Sequence, residues 1–331
     1  MFPVQRFVVS PEITGQRLDR ALANLTVATR SHIKMLIEHA CVLVAGEVRK
    51  AGYILRSGEE IEVWPIADPP AEALPQDLPL DILYEDEFLA AINKPPGMVV
   101  HPAPGQWQGT IVNALLARWG WREGTPGNLR PGIIHRLDKD TSGVLLIAKD
   151  PTTQERLSLQ FKERRVQKMY TAVVVGRLVL PHGEIRLPIG RHPSDRKKMS
   201  VHAPRNRAAI SRYQVIGEAF GSSVIHLFPE TGRTHQLRVH LAALGHPIVG
   251  DLLYGSSGRF CDLPPVLRDF PRQALHARAI RFCHPATQRL LTLWAPYPED
   301  LQRVFATLPF VVEERSTEGL LNRDGKAFPA L

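Results

Sequence analysis

Residues 135–143 read His-Arg-Leu-Asp-Lys-Asp-Thr-Ser-Gly, so Asp138 and Asp140 stand among His135, Arg136 and Lys139, just before the apolar run Val144-Leu145-Leu146-Ile147. Charge this dense at a strand edge suggests a site. A single carboxylate there can serve as a nucleophile, and a pair can share general acid and base work. An ionised aspartate in a dry pocket needs a cation beside it, which lowers its pKa by roughly 1 to 3 units. Asp140 can equally be a cap or a turn acceptor through its short side chain. The chain has no His-Glu-x-x-His, Gly-x-Ser-x-Gly or Gly-x-x-x-x-Gly-Lys-Ser/Thr element, so zinc protease, esterase-type and P-loop chemistry lack their residues.

The elements that must position these groups are short and rich in β structure. Leu89–Ile92, Val144–Ile147, Tyr170–Val175 and Ser223–Leu227 read as strands, and Thr110–Ala117 reads as a helix stopped by Gly120. Strands with only occasional helices predict an α+β domain around a mixed, mostly antiparallel sheet with flanking helices. Tyr170 shares a strand face with Ala172 and Val174, where an aromatic ring either packs into the core or is offered to a ligand. A helix from Thr234 to Leu244, ended by Gly245, puts His235 and Arg238 on one face and Leu237, Leu241 and Leu244 on another. Nearer the start, residues 11–66 read as a compact unit. Its first helix shows Leu18, Ala21, Leu22 and Leu25 on one face, a second helix follows Thr29-Arg30-Ser31, and Val42–Val48 forms a hairpin. Pro65, Pro69, Pro70, Pro75 and Pro79 mark a stiff linker. The resulting organisation is an N-terminal domain over 11–75, a larger domain over 76–305 and a polar tail over 306–331.

The chain has 331 residues, 44% of them apolar, enough for a sizeable core. Its net charge of +8 is unevenly spread. Residues 130–240 hold 20 Lys and Arg against 9 Asp and Glu, a surplus of 11, which leaves −3 for the remainder. A basic face of this kind either is simply solvated or attracts a polyanion. Residues 1–66 carry 8 basic and 7 acidic side chains, so charge alone says little about that region. The three cysteines, Cys41, Cys261 and Cys283, are widely spaced and show neither a disulfide framework nor a zinc pattern, which fits a reducing cytoplasm. The thirteen histidines are scattered, four of them in His-Pro pairs, and suggest turns and not metal ligation. Neither a leader nor a membrane span is expected.

The acidic block resembles the signature of the RluA-type pseudouridine synthases, in which the aspartate of an Arg-Leu-Asp triplet is the nucleophile. Four further segments carry the likeness from about residue 80 to residue 300: Asn93–Pro102, the basic-x-Tyr strand Lys168–Gly176, Thr231–His240, and Pro271–Ala277. The resemblance implies that Asp138 attacks an extruded uridine and that Arg238 is its cationic partner. It implies that Tyr170 stacks on the base and handles the C5 proton, and that Arg136 helps to hold the rearranged RNA. His135, Arg233 and Leu275 join the expected substrate contacts, Leu275 as an apolar wall or simply as core. The N-terminal unit resembles an S4 RNA-binding domain, with Arg30, Ser31 and Lys34 where a helix start would meet phosphate. Arg196 and Lys197, in the exposed segment Arg191–Met199, form a possible phosphate rail.

Within the family the likeness is greatest to the RluD branch, judged from Arg191-His192-Pro193, Lys197–His202 and the S4-like appendage. That branch implies a stem-loop of 23S large-subunit rRNA near the decoding site. A synthase of the RluC branch, acting at other sites of the same RNA, is the alternative. The chemistry implies no metal, nucleotide or other cofactor, and a monomeric cytoplasmic enzyme is expected. Two other classes compete. A non-catalytic ribosome assembly factor would tolerate Asp138→Asn, and an RNA hydrolase using Asp138 with Asp140 would release shortened RNA.

Overall fold

The structure, a computed structural model, describes residues 4–26, 28, 30–38, 40–64, 73–102, 106–120, 132–195, 197–255 and 257–309. Pro65, Pro69, Pro70, Arg196, the side chain of Ser31 and the tail from residue 310 onward lie outside the described residues. The chain divides into two compact units, Met1–Ala71 and Glu72–Leu331.

In the first unit, β1 (Gln5–Val8), α1 (Leu18–Leu25), α2 (Arg30–Glu38), β2 (Val42–Val44), β3 (Glu47–Val48) and β4 (Glu60–Val63) build an antiparallel sheet ordered β1-β4-β2-β3. Leu18, Ala21 and Leu22 of α1 pack with Ile33, Leu36 and Ile37 of α2 and with Val42, Val44, Ile61 and Val63. Leu25 does not complete that stripe: at the last position of α1 it is 40% exposed. Asp19, in the first turn of α1, is fully buried and collects Arg17, Arg30 and Lys34.

The second unit continues with β5 (Ile82–Glu85), β6 (Leu89–Lys94), α3 (Ile111–Trp119), β7 (Ser142–Ala148), α4 (Pro151–Lys162), β8 (Gln167–Val175), β9 (His182–Arg186), β10 (Ile189–Arg191), β11 (Met199–Ser200), β12 (Asn206–Arg207), β13 (Ile210–Ala219), β14 (Ser222–Pro229), α5 (Gln236–Ala243), α6 (Pro265–Arg268), β15 (Leu275–Cys283), β16 (Leu290–Trp294) and α7 (Glu299–Thr307). Its large sheet runs β5-β6-β7-β15-β8-β14-β13-β9, with β16 on β15, and every pairing is antiparallel except β7 with β15. β10, β11 and β12 form a separate three-stranded sheet.

β7 is central because it is buried on both faces, which its unbroken apolar run anticipates. Val144 and Leu146 pack with Leu157 of α4, whereas Leu145 and Ile147 pack with Ile111 and Leu115 of α3. Both helices are fixed by their ends. Thr110 and Asn113 form a capping box before α3, and Gly120 closes it in the left-handed conformation. Asp150 caps α4 by accepting the Thr153 N–H, with Pro151 at the first helical position.

Two sequence expectations need correction at α5. The helix begins at Gln236, and His235 is its N-cap with φ 55°, so His235 lies outside the helical face assigned to it. Leu244 is 41% exposed, because the helix ends at Ala243 and Gly245 turns the chain away before Leu244 can pack.

Candidate active site

The turn that leads into β7 carries Asp138. The Thr141 N–H donates to the Asp138 carbonyl at 3.1 Å and closes it. Two buried cations fasten this turn from beneath through its backbone. Lys94, fully buried at the end of β6, donates to the carbonyls of Lys139 at 2.9 Å, Pro95 at 2.7 Å and Met98 at 2.9 Å. Burial lowers its ammonium to about 7, with the Asp140 carboxylate opposing. Arg272 donates to the Asp140 carbonyl at 2.8 Å and is itself gripped by Asp300 of α7 at 2.7 and 2.9 Å. At the start of β7, Gly143 has φ +113°, and a Cβ there would lie 2.2 Å from the Ala277 carbonyl oxygen. Only glycine allows β15 to approach in parallel at this point.

The Asp138 carboxylate meets Arg238, whose Nη1 donates to Oδ2 at 3.1 Å. Arg238 is in turn held by Asp251, Nε to Oδ2 at 2.6 Å and Nη2 to Oδ1 at 2.9 Å. Burial opposes the guanidinium charge, but Asp251 and then Asp138 outweigh it and hold Arg238 above its ordinary range. Asp251 Oδ1 also accepts the N–H groups of Leu253 and Tyr254, so the turn after Gly250 is locked to the same carboxylate. Tyr254 lies 5.1 Å beneath the guanidinium, and its hydroxyl contacts His235 Nδ1 at 2.7 Å and accepts the Met199 N–H at 2.8 Å. Burial pushes the Tyr254 phenol up to about 12 and pulls His235 below its usual value, although Asp138 lies 4.0 Å away and opposes the latter shift.

A cavity of about 580 Å3 opens over this pair. Among the residues singled out from sequence, His135, Arg136, Asp138, Tyr170, Arg233, Arg238 and Leu275 all line it. Tyr170 is kept a neutral phenol by burial, reinforced by the Asp138 charge. His135 stacks on Phe161 at 4.8 Å and accepts the Leu146 N–H on Nε2 at 2.9 Å; burial drives it down to about 3, so it is a neutral acceptor. Arg233 donates to the Ala208 carbonyl at 3.3 Å. Leu275 is 3% exposed and belongs to the core while also walling the cavity. Asp140 is not among the lining residues.

Other candidates lie elsewhere. Arg30 and Lys34 belong to the first unit, where they face Asp19 at 3.0 and 3.8 Å. Lys197 is exposed on the connection between β10 and β11, its N–H on Asp195 Oδ1 at 2.9 Å. Sequence reasoning missed Asp251, Tyr254, Lys94, Arg272, Gln236 and Lys168. Gln236 ties the Thr231–Arg233 loop to β13 by accepting from Thr231 and Arg233 and donating to the Ile210 carbonyl. Lys168 lines the cavity two residues from Tyr170, and burial lowers it to about 8. The two-residue period of a strand, which puts Lys168 on Tyr170's face, was the signal available for finding it.

A mixed sheet brings a carboxylate and an arginine together inside a basic cavity, and the chain belongs to the RNA pseudouridylate synthase family. The model of that family matches residues 89–243, and an S4 domain matches 16–61. The ribosomal large subunit pseudouridine synthase D of Xanthomonas campestris pv. campestris is 42% identical over 311 residues, 92% of each chain. The Escherichia coli protein of that name is 39% identical over 321 residues, 94% of this chain and 96% of its own. Among solved structures, human RNA pseudouridylate synthase domain containing 1 superposes with a TM-score of 0.57 at 28% identity, covering 72% of this chain and 91% of its own.

Proposed function

We propose that the chain converts specific uridines of large-subunit ribosomal RNA to pseudouridine, with Asp138 as nucleophile. The observation that carries the assignment is the Asp138 carboxylate on the cavity wall, ion-paired to an arginine that Asp251 holds from behind. Isomerisation breaks the bond between uracil N1 and C1′, forms one from C5 to C1′, replaces the C5 hydrogen and leaves a proton on N1. Arg238 aims the Asp138 carboxylate through the Nη1 donor at 3.1 Å. A phenol held protonated serves as a base only by passing its own proton on, so stacking on the extruded uracil is the first role assigned to Tyr170. Arg136 and Arg233 face the RNA backbone, and Leu275 closes the apolar side.

The position of Asp140 outside the lining weighs against an acid–base pair and therefore against hydrolysis. The relatives named synthase D match nearly end to end, which supports the RluD-type substrate over the RluC-type. The S4-like unit over 11–75 is assigned to RNA docking and residues 76–305 to catalysis, with 306–331 as a tail. A working monomer is part of this reading, and an rRNA substrate supports a cytoplasmic site of action.

Release of tritium from rRNA carrying [5-3H]uridine tests the reading. Wild type is expected to release tritium without shortening the RNA, and Asp138→Asn to bind RNA and release none. Cleaved RNA, or release by Asp138→Asn equal to wild type, refutes it.

A further inference from the structure

We propose that Lys162, the last residue of α4, and Arg164, in the turn that closes it, form a phosphate subsite on the cavity rim that grips the RNA backbone beside the inserted uridine. The proposal rests on the synthase reading of the cavity. Both side chains line it and both are exposed. The lining carries six cationic side chains, Arg136, Lys162, Arg164, Lys168, Arg233 and Arg238, against two carboxylates, Asp138 and Glu230, so its charge calls for an anion. The carboxylates are already matched. Arg238 takes Asp138, and Arg212 Nη2 lies 2.8 Å from Glu230 as an ion pair without hydrogen-bond alignment.

The end of α4 explains why these two cations are available. The helix closes in a Schellman turn, with the Arg165 N–H on the Gln160 carbonyl at 2.9 Å and the Arg164 N–H on the Phe161 carbonyl at 3.2 Å. Arg164 takes the left-handed position, φ 58°, that glycine usually fills. A bulky side chain at such a position is strained, and strain of this sort collects at functional sites. Its neighbour Arg165 is neutralised by Glu163 at 2.6 Å. Among the described residues, the side chains of Lys162 and Arg164 make no hydrogen bond or ion pair. Two unmatched cations on one turn, held at the mouth of a basic cavity, fit the phosphodiester of a flanking nucleotide.

Fluorescence anisotropy with an oligouridine of roughly 12 nucleotides, titrated with the full chain at several KCl concentrations, tests the subsite. Lys162→Gln and Arg164→Gln are each expected to weaken binding about tenfold. Each should also flatten the slope of log affinity against log salt by about 0.7. Arg164→Lys is expected to restore the slope, and Arg165→Gln to match wild type in both. Wild-type affinity and slope in the two glutamine variants, or an equal loss in Arg165→Gln, overturns the proposal, the second result by showing a general field and not a subsite. Tritium release by the same wild-type preparation is read separately. Absence of release alongside the expected binding pattern refutes the synthase reading and leaves the phosphate subsite standing.

Discussion

Asp251→Asn removes the group that aims Arg238 without touching Asp138. Asp251 Oδ1 accepts from Arg238 Nη2, Leu253 and Tyr254, so the amide oxygen of asparagine takes that position and its NH2 replaces Oδ2. Oδ2 accepts Arg238 Nε at 2.6 Å, and two donors would then face each other across that distance. One buried charge-assisted hydrogen bond is lost, about 2 kcal/mol of stability. Arg238 also shifts to relieve the clash. A displacement near 1 Å at a group that orients a nucleophile costs on the order of 100-fold in rate. The expected result is a lower denaturant midpoint at unchanged m-value, with kcat for tritium release down about 10- to 100-fold and RNA affinity close to wild type. Wild-type kcat in Asp251→Asn, alongside an inactive Arg238→Ala, would show that Asp251 does not aim Arg238 and would refute the reasoning.

Gly143→Ala places a Cβ 2.2 Å from the Ala277 carbonyl at a left-handed φ, so β7 and β15 must separate; calorimetry should show a Tm loss of roughly 5–10 °C, and an unchanged Tm contradicts the close approach. His226 and His276 are held by burial down to about 4 and 3, below their unfolded value, so the unfolded chain gains protons first as pH falls from about 6.5. Stability is therefore lost on acidification from about 6.5 toward 4, these two histidines contributing up to about 2.7 kcal/mol per pH unit, and a urea midpoint that stays flat down to about pH 5 contradicts it. Lys168 is charged below about 8 in the free protein, so kcat/KM should fall above that pH. In Lys168→Arg the basic limb should vanish, and its persistence assigns the limb to another group.

The parts of this architecture readable from sequence are those with local signals. The doubly buried β7 shows as an unbroken apolar run, and the ends of α3 show as Thr110 and Gly120, whereas α4 went unread although Asp150-Pro151 marks its start. The block around Asp138 stood out because charge rarely crowds a strand edge. What stayed hidden depends on partners far apart in sequence. Asp251 holds Arg238 from a turn 13 residues away that has no period to betray it. Lys94 reads as a surface lysine, yet it is fully buried because three carbonyls converge on its ammonium. Arg272 reaches Asp140 across 132 residues, and the single parallel pairing, β7 with β15, requires a glycine whose purpose shows only when Ala277 is in place. His235 entered the site from outside α5 because a left-handed N-cap turned it there, which helical spacing cannot foresee.

Carbodiimide mapping of pseudouridine on unmodified large-subunit rRNA, incubated with wild type or with Asp138→Ala, tests the central claim most directly. New marks confined to a few uridines, made by wild type and absent with Asp138→Ala, are the predicted result. Marks made equally by Asp138→Ala, or none from wild type on RNA that it binds, would contradict the account of Asp138 as nucleophile and favour a protein that binds rRNA without modifying it.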